Sequence, residues 1–188
     1  MRPWAHVVTA ITLLGFSPAL ADGYVQGAAG GTLGTWLDIS GVGYKMNTGY
    51  NVGVSAGLRL THLLGPHWDL RGDLLRTQNQ YACCSAHLGG TSLMASLLYH
   101  FDLGIPLEPY IGVGAGAVAV DYGAMGGPHE SRTRFGAQAL AGAEYPLMGR
   151  FSLFGEYRYV ATNDVALPGV GRVEYRTHNF MMGLKLTL

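Results

Sequence analysis

Strict alternation of apolar and polar residues, a shortage of charged residues and an N-terminal export signal predict an all-β fold: an eight-stranded antiparallel up-and-down transmembrane β-barrel with a cleavable N-terminal signal peptide. The alternation is clearest at the C-terminus. From Phe180 to Leu188 every second residue is large and apolar, and those between are polar or small apart from Met181. A period of two is typical of a strand with two different faces. Such a terminal strand can close a sheet, which lipid requires because it does not tolerate an open edge.

The composition supports a barrel wall in contact with lipid. Charged residues make up 13% of the chain, against about 25% in ordinary soluble domains. Lys45 and Lys185 are the only lysines. A soluble barrel needs a hydrated exterior, and the residues for one are missing. The formal net charge of +0 gives no indication of a nucleic-acid partner.

The N-terminus has the pattern of an export signal. Arg2 precedes an apolar run over residues 5–16, and Ala19-Leu20-Ala21 then fits a small-x-small cleavage site. The run is too short for a membrane-spanning helix, which needs about 20 residues. We therefore predict a signal peptide over residues 1–21, cleavage between Ala21 and Asp22, and a single barrel domain over residues 22–188.

Eight segments alternate along the predicted barrel domain, in the order 23–33, 48–60, 67–78, 90–101, 108–121, 132–145, 151–162 and 173–188. The connections between them alternate in length. Those at 34–47, 79–89, 122–131 and 163–172 are long, and those at 61–66, 102–107 and 146–150 are short. Barrels of the bacterial outer membrane have short periplasmic turns and longer outside loops. The pattern therefore predicts a bacterial outer-membrane protein with both termini in the periplasm.

The period of two also assigns the faces of the strands. In the third segment Trp68, Leu70 and Leu74 alternate with Asp69, Arg71 and Asp73, and the second, fourth and seventh segments divide in the same way. Large aromatic residues lie near the segment ends, as in the girdles that mark the two membrane interfaces. The short-turn set is Trp68, Phe101, Tyr110, Tyr145 and Phe151, and the long-loop set is Tyr50, Tyr122, Tyr157, Tyr159 and Tyr175.

Several stretches are similar to a known family. They are Glu-Pro-Tyr-Ile-Gly-Val-Gly-Ala-Gly at 108–116, Gln-Ala-Leu-Ala-Gly-Ala-Glu-Tyr-Pro-Leu at 138–147, Gly-Glu-Tyr-Arg-Tyr at 155–159 and the C-terminal strand. In order and spacing they resemble the small eight-stranded outer-membrane barrels, a group that includes the OmpA transmembrane domain, OmpX and the opacity-type proteins. The resemblance implies a monomer that contacts outer-membrane lipids and lipopolysaccharide, with a C-terminal strand read by the barrel-insertion machinery. Such barrels usually end in Phe, whereas this chain ends in Leu188.

The polar faces of the alternating segments predict a charged lumen. If they point inward, Arg71, Asp73, Glu156, Arg158 and Lys185 form a charge network, with Arg59, Asp69 and Glu144 nearer the short turns. An eight-stranded barrel is just wide enough for side chains to fill it, and charges in a narrow interior must be paired. We therefore expect a polar plug and a structural or surface-interaction role. The alternative is a narrow porin for small solutes in which these pairs rearrange.

Other reactive residues suggest no enzyme and no cofactor. Lipid A-modifying barrels of the PagL type carry a late His-x-Ser pair, because the serine needs an adjacent base. Residues 159–163 lack both, and the consecutive His129-Glu130-Ser131 fits a solvated loop tip better. A lipid A-modifying enzyme is thus the third hypothesis. Cys83 and Cys84 could form a vicinal disulfide, pair between molecules or, with His87, bind a metal, although no recognised metal-ligand spacing is present.

Overall fold

The computed structural model describes residues 23–39, 42–45, 48–80, 87–123, 130–162, 165–167 and 171–188. These residues form ten strands in one sheet. The strands are β1 (Gly23–Ile39), β2 (Val42–Lys45), β3 (Gly49–Arg59), β4 (Trp68–Gln80), β5 (His87–His100), β6 (Glu108–Gly123), β7 (Glu130–Met148), β8 (Phe151–Thr162), β9 (Val165–Leu167) and β10 (Gly171–Thr187). Within those ranges no helix is long and apolar enough to cross a membrane.

Eight of the strands close into an antiparallel barrel. They follow one another in chain order, β1, β3, β4, β5, β6, β7, β8 and β10, and β10 pairs back onto β1. The closing register runs from Tyr24 opposite Thr187 to Ile39 opposite Val173. The short strands β2 and β9 extend the sheet by pairing with the far ends of β1 and β10. The predicted eight-stranded antiparallel up-and-down barrel is confirmed.

The predicted long connections are wrong in extent. Much of the segment 34–47 is strand, because β1 continues to Ile39 and β2 begins at Val42. Likewise β4 reaches Gln80 and β5 begins at His87, so pairing extends well into the predicted loop 79–89. Hydrophobic alternation marks only the part of a strand that faces lipid. Backbone pairing continues beyond it, since N–H and C=O groups still need partners there.

The short turns at the other end are held by their own hydrogen bonds. In the first turn the Leu60 carbonyl accepts N–H groups from Leu63 and Leu64 at 3.0 and 2.9 Å. In the second, Asp102 Oδ1 accepts the Gly104 N–H at 3.0 Å. The third is tighter than predicted, because β7 runs to Met148 with an irregular register after Pro146. Proline has no N–H to give to the ladder, which explains the irregularity.

The two faces of the wall are those predicted. Outward positions are apolar and open, and include Val52, Val54, Leu70, Leu74, Leu93 and Val113. Inward positions are mostly polar and buried, and include Asn51, Asp69, Arg71, Asp73, Ser96, Glu156 and Arg158. The sequence pattern therefore separates a lipid-facing wall from a lumen residue by residue.

Aromatic residues cluster on the wall at both ends. Near the short turns the Tyr99 ring lies 5.0 Å from Trp68 and 5.1 Å from Phe101. Toward the long-loop end Tyr157 lies 5.0 Å from Phe180. Tyr110 departs from the prediction, since its side chain is buried in the lumen and does not join the short-turn girdle. It shares the inward phase of β6 with glycines, and this leaves room for its ring.

Candidate functional site: the polar lumen

Two arginines and two carboxylates form a closed cycle in the lumen, which we call the central network: Arg71, Asp73, Glu156 and Arg158. Within β4, Arg71 Nε lies 2.9 Å from Asp73 Oδ1. Within β8, Arg158 Nη2 lies 2.6 Å from Glu156 Oε1. Across the lumen, Arg71 Nη1 reaches Glu156 Oε2 at 2.8 Å, and Arg158 Nη2 reaches Asp73 Oδ1 at 3.1 Å. Each charge therefore has one partner on its own strand and one on the opposite strand.

Neutral side chains supply further donors to both oxygens of Asp73. Ser55 on β3 donates to Oδ1 at 2.7 Å. Ser96 on β5 donates to Oδ2 at 2.8 Å, and Gln138 on β7 donates to the same oxygen at 3.1 Å. Gln138 Nε2 also lies 2.6 Å from Ser96 Oγ. A buried carboxylate with so many donors can remain ionised without water.

Tyr110 completes the network from β6. Its hydroxyl donates to Glu156 Oε2 at 2.9 Å. Gly142 on β7 makes this reach possible, because a Cβ added there would lie 2.6 Å from the Tyr110 hydroxyl. Real Cβ atoms do not come so close to other heavy atoms, so an alanine at this position would push the ring aside.

The central network is buried, neutral overall and connected to six of the eight barrel strands. Its four charged side chains are 0 to 3% exposed. Its members and their donors come from β3, β4, β5, β6, β7 and β8. Such a layer can hold the strands at fixed positions across the lumen. Breaking it would leave buried charges without partners, which is costly.

Lys185 lies outside the central network and pairs with a different carboxylate. The sequence grouped it with the four charges of the central network, but its Nζ lies 2.7 Å from Glu144 Oε2 on β7 and 4.2 Å from the centre of the Tyr24 ring. The register explains this. Glu156 lies opposite Met181, four positions along β10 from Lys185, and four strand residues span about 13 Å.

A second group of charges also lies toward the short turns. Asp69 Oδ1 accepts from Arg59 Nε at 3.3 Å, and Asp69 Oδ2 lies 3.1 Å from His100 Nε2. Arg59 is 37% exposed whereas Asp69 is fully buried. This group therefore lies at the edge of the lumen and reaches solvent, unlike the central network.

On the long-loop side an amide layer follows the central network. Asn51 Nδ2 and the Thr32 hydroxyl both donate to Asn179 Oδ1, each at 3.1 Å. Asn51 Nδ2 also donates to the Gly31 carbonyl at 3.0 Å. These residues tie β3 to β1 and β10, the two barrel strands that supply neither a member of the central network nor a donor to it.

Apolar side chains fill much of the remaining lumen. Leu98, Tyr110 and Leu140 pack into a small buried cluster. Beside the central network a cavity of about 10 Å³ is lined by Gln26, Ser55, Phe154 and Met181 among others. This is roughly the space for one water molecule.

Sequence reasoning did not establish the roles of all lumen residues. It placed Ser55, Ser96 and Gln138 on the polar faces of their strands, but it did not identify them as hydrogen-bond donors to Asp73. Tyr110 was assigned to the girdle by its residue type, although its phase on β6 pointed inward. Met181 interrupts the polar phase of β10 and is buried.

Other predicted sites lie outside the described residues. These are the cleavage position at Ala21 and Asp22, and the Cys83 and Cys84 pair. In the part of the chain that the structure describes, no group of three or more His, Cys, Asp or Glu residues could hold a metal ion.

Comparison with known proteins supports the architecture. A family model described as "Outer membrane protein beta-barrel domain" matches residues 7–187. Neisserial surface protein A (NspA) is 24% identical, with a TM-score of 0.69 over 89% of this chain and 97% of that chain. Ail, the attachment invasion locus protein of Yersinia pestis, is 16% identical, with a TM-score of 0.51 over 88% of this chain and 99% of that one. OprG from Pseudomonas aeruginosa is 13% identical, with a TM-score of 0.57 over 88% and 95%. At these identities the structures establish the fold alone, and no curated protein matches the chain in sequence.

Proposed function

Because the chain belongs to the outer membrane protein β-barrel domain family, we propose that it is a bacterial outer-membrane barrel closed by the central network. Its role in this proposal is structural, with the long-loop end available for contacts at the cell surface. The observation that carries the proposal is the closed cycle of Arg71, Asp73, Glu156 and Arg158, in which every charge is paired twice.

Energetics favour a closed lumen over a gated one. A pore through this layer would have to separate Arg71 from Glu156 and Arg158 from Asp73, contacts of 2.8 and 3.1 Å between buried groups. Removing one partner from a buried pair costs about 3–5 kcal/mol. A path for solutes would need both contacts to open at once.

The proposed orientation places both termini in the periplasm. The Leu188 N–H donates to the Gly23 carbonyl at 2.9 Å, so the barrel strands begin and end at the short-turn end. Short turns lie in the periplasm in barrels of this class. In the same proposal the protein is a monomer whose wall contacts outer-membrane lipids and lipopolysaccharide, and its strand β10 is presented to the barrel-insertion machinery.

A surface-interaction role has weaker support than the closed lumen. Two proteins of similar structure are named as a surface protein and an attachment invasion locus protein. For this chain we propose contact through the long-loop end. Loss of binding of the purified barrel to host-cell or bacterial surfaces after replacement of those loops would test it.

Single-channel conductance in a planar bilayer tests the closed lumen. We expect the refolded protein, without residues 1–21, to be electrically silent, because the central network blocks ion passage. Glu156→Gln keeps the size of the side chain but removes a charge from the cycle, and should give detectable steps if the network is the barrier. Reproducible, salt-dependent steps from the unaltered protein would overturn the proposal. The barrel would then be a narrow porin lined by the central network.

A further inference from the structure

Arg134 on β7 is a luminal cation without a carboxylate partner among the residues that the structure describes. The other described arginines and the lysine that face the lumen each lie within 3.3 Å of an Asp or Glu oxygen: Arg59, Arg71, Arg158 and Lys185. Within the same part of the chain the buried Nε of Arg134 also lacks a hydrogen-bond partner. A partly buried guanidinium in this state gains from any acceptor that reaches it.

The position of Arg134 on β7 separates it from the central network. Gln138, which donates to Asp73 in that network, is the fourth residue after Arg134 on the same inner face of the strand. Four strand residues span about 13 Å, and β7 begins at the long-loop end. Arg134 therefore lies in a layer between the central network and the long loops.

Charges in the rest of the lumen are already balanced. The four paired cations face four carboxylates, which belong to Asp69, Asp73, Glu144 and Glu156. On the long-loop side of the central network, the buried polar side chains of the described ranges are neutral and include Thr77, Asn79 and Thr177. Arg134 thus adds a positive charge to a layer in which the described ranges contain no buried acid.

Thr162 on β8 is a polar neighbour of Arg134. It lies opposite Gly136, which is two residues from Arg134 along β7, and two strand residues span about 7 Å. The Thr162 side chain is 5% exposed, and its Oγ1 has no hydrogen-bond partner within the described residues. Opposite Arg134 on β6 lies Val118, which is apolar and 1% exposed. Two donors beside an apolar wall suit an anion, because charge-assisted hydrogen bonds are strong and gain strength where water is scarce.

We propose that Arg134 and Thr162 form a binding site for a small oxyanion, a carboxylate or a phosphate, that enters the lumen from the long-loop end. The guanidinium supplies the charge, and its N–H groups and the Thr162 hydroxyl donate to the anion oxygens. Arg134 is half-buried, so part of its side chain is open to solvent. The anion can therefore reach it without passing the central network, and binding neutralises a charge that the described luminal carboxylates leave unpaired.

This site should respond to substitution differently from the central network. Arg71 and Arg158 each contact two carboxylates, so the loss of either arginine leaves buried negative charge. Arg134→Gln removes no partner from a described carboxylate, and we expect this variant to fold as the unaltered protein does. The proposal does not depend on whether the barrel conducts, so conductance and anion binding can fail separately.

An NMR titration of the refolded protein, without residues 1–21, in lipid nanodiscs provides the test. Sodium phosphate and sodium acetate are added in separate experiments at constant pH and ionic strength, and the backbone amide signals of Gly136 and Thr162 are followed. We expect these signals to shift and saturate with at least one of the two anions, while those of Arg71 and Asp73 stay in place. The anion that saturates them identifies the ligand class as phosphate or carboxylate. Absent shifts, or shifts that grow linearly with both anions, would overturn the proposal.

Three variants separate the site from a general effect of charge. Arg134→Gln should weaken binding more than about tenfold, because a charged hydrogen-bond donor is lost. Thr162→Val keeps the shape of the side chain without its hydroxyl and should weaken binding about three- to tenfold. The matched control is Arg76→Gln, which removes the same charge from an exposed arginine paired with Asp121 and should leave the affinity unchanged. Equal weakening by Arg134→Gln and Arg76→Gln would contradict a site at Arg134.

Discussion

Strand β4 presents two different solutions to burial on its two sides. On the inner face Asp69, Arg71 and Asp73 are at most 1% exposed, and their charges are paired. On the outer face Leu70 and Leu74 are 46% and 43% exposed in the isolated protein. The inner face depends on specific partners, whereas the outer face needs only an apolar solvent. Substitutions should therefore act through lost partners inside and through lipid transfer outside.

The largest expected effect follows removal of a central-network carboxylate. Glu156→Ala leaves Arg71 and Arg158 to share Asp73 in a buried layer. We expect a loss of about 3–5 kcal/mol in the free energy of unfolding, measured by urea titration in vesicles. The matched control is Glu108→Ala, at the exposed start of β6, which should change stability little. Similar losses for both variants would remove the distinction between the paired inner face and the rest of the barrel.

A charge on the outer wall should have the next largest effect. Leu93 is 61% exposed on β5 and faces lipid in an outer-membrane barrel. Leu93→Arg should cost about 2–4 kcal/mol if the position lies near the bilayer midplane. Leu93→Ala is the control, because it removes the side chain without adding a charge. The difference in free energy of unfolding between the two variants, from the same urea titration, isolates the lipid contribution. Equal free energies for the two variants would place Leu93 outside the bilayer.

Loss of the Lys185 pair should have a smaller effect. Lys185→Met leaves Glu144 without its cation, but the Glu144 side chain is 11% exposed and lies nearer the short turns than the central network does. We expect a loss of about 1–3 kcal/mol. The double variant Lys185→Met/Glu144→Gln should recover part of this lost free energy of unfolding. A double-mutant cycle then gives the coupling energy between the two residues. A coupling near zero would show that the 2.7 Å contact contributes nothing to stability.

The smallest effect should come from the solvent-exposed ion pair between β4 and β6, near the long-loop ends of these strands. Arg76 Nη1 lies 3.4 Å from Asp121 Oδ2, with both side chains more than 40% exposed. Asp121→Asn should lower the free energy of unfolding by at most about 1 kcal/mol, and this loss should decrease as salt is added. Comparing urea titrations at low and high salt would check this. A large, salt-independent loss would contradict the view that exposed charges on this barrel depend little on specific partners.

Much of the fold follows from alternation in the sequence. The inward phase of Asp69, Arg71 and Asp73 and the outward phase of Leu93 could be assigned because neighbouring strand residues point to opposite faces. The strand order follows from short hairpin connections. Strand ends were less predictable, as Ile39 and Gln80 show, because backbone pairing at the long-loop end does not require an apolar face.

Partner choice inside the lumen could be predicted only in part. The phase of each strand shows which charges point inward, but the pair that forms depends on the relative heights of strands far apart in sequence. Lys185 illustrates this, since it belongs to the polar set and yet lies about four residues from the level of Glu156. The role of Tyr110 depended on the space above Gly142, a feature of the neighbouring strand that the alternation does not reveal.

The central network also affects how the barrel can assemble. Arg71 and Asp73 are neighbours on the inner face of β4, and Glu156 and Arg158 are neighbours on that of β8, so each strand contributes one positive and one negative charge to the central network. These four charges can thus be neutralised within their own strands before the opposite strand arrives. Closing the barrel then adds contacts across the lumen without breaking the local ones. The order in which the two halves of the chain insert is therefore not dictated by an unpaired charge of the central network.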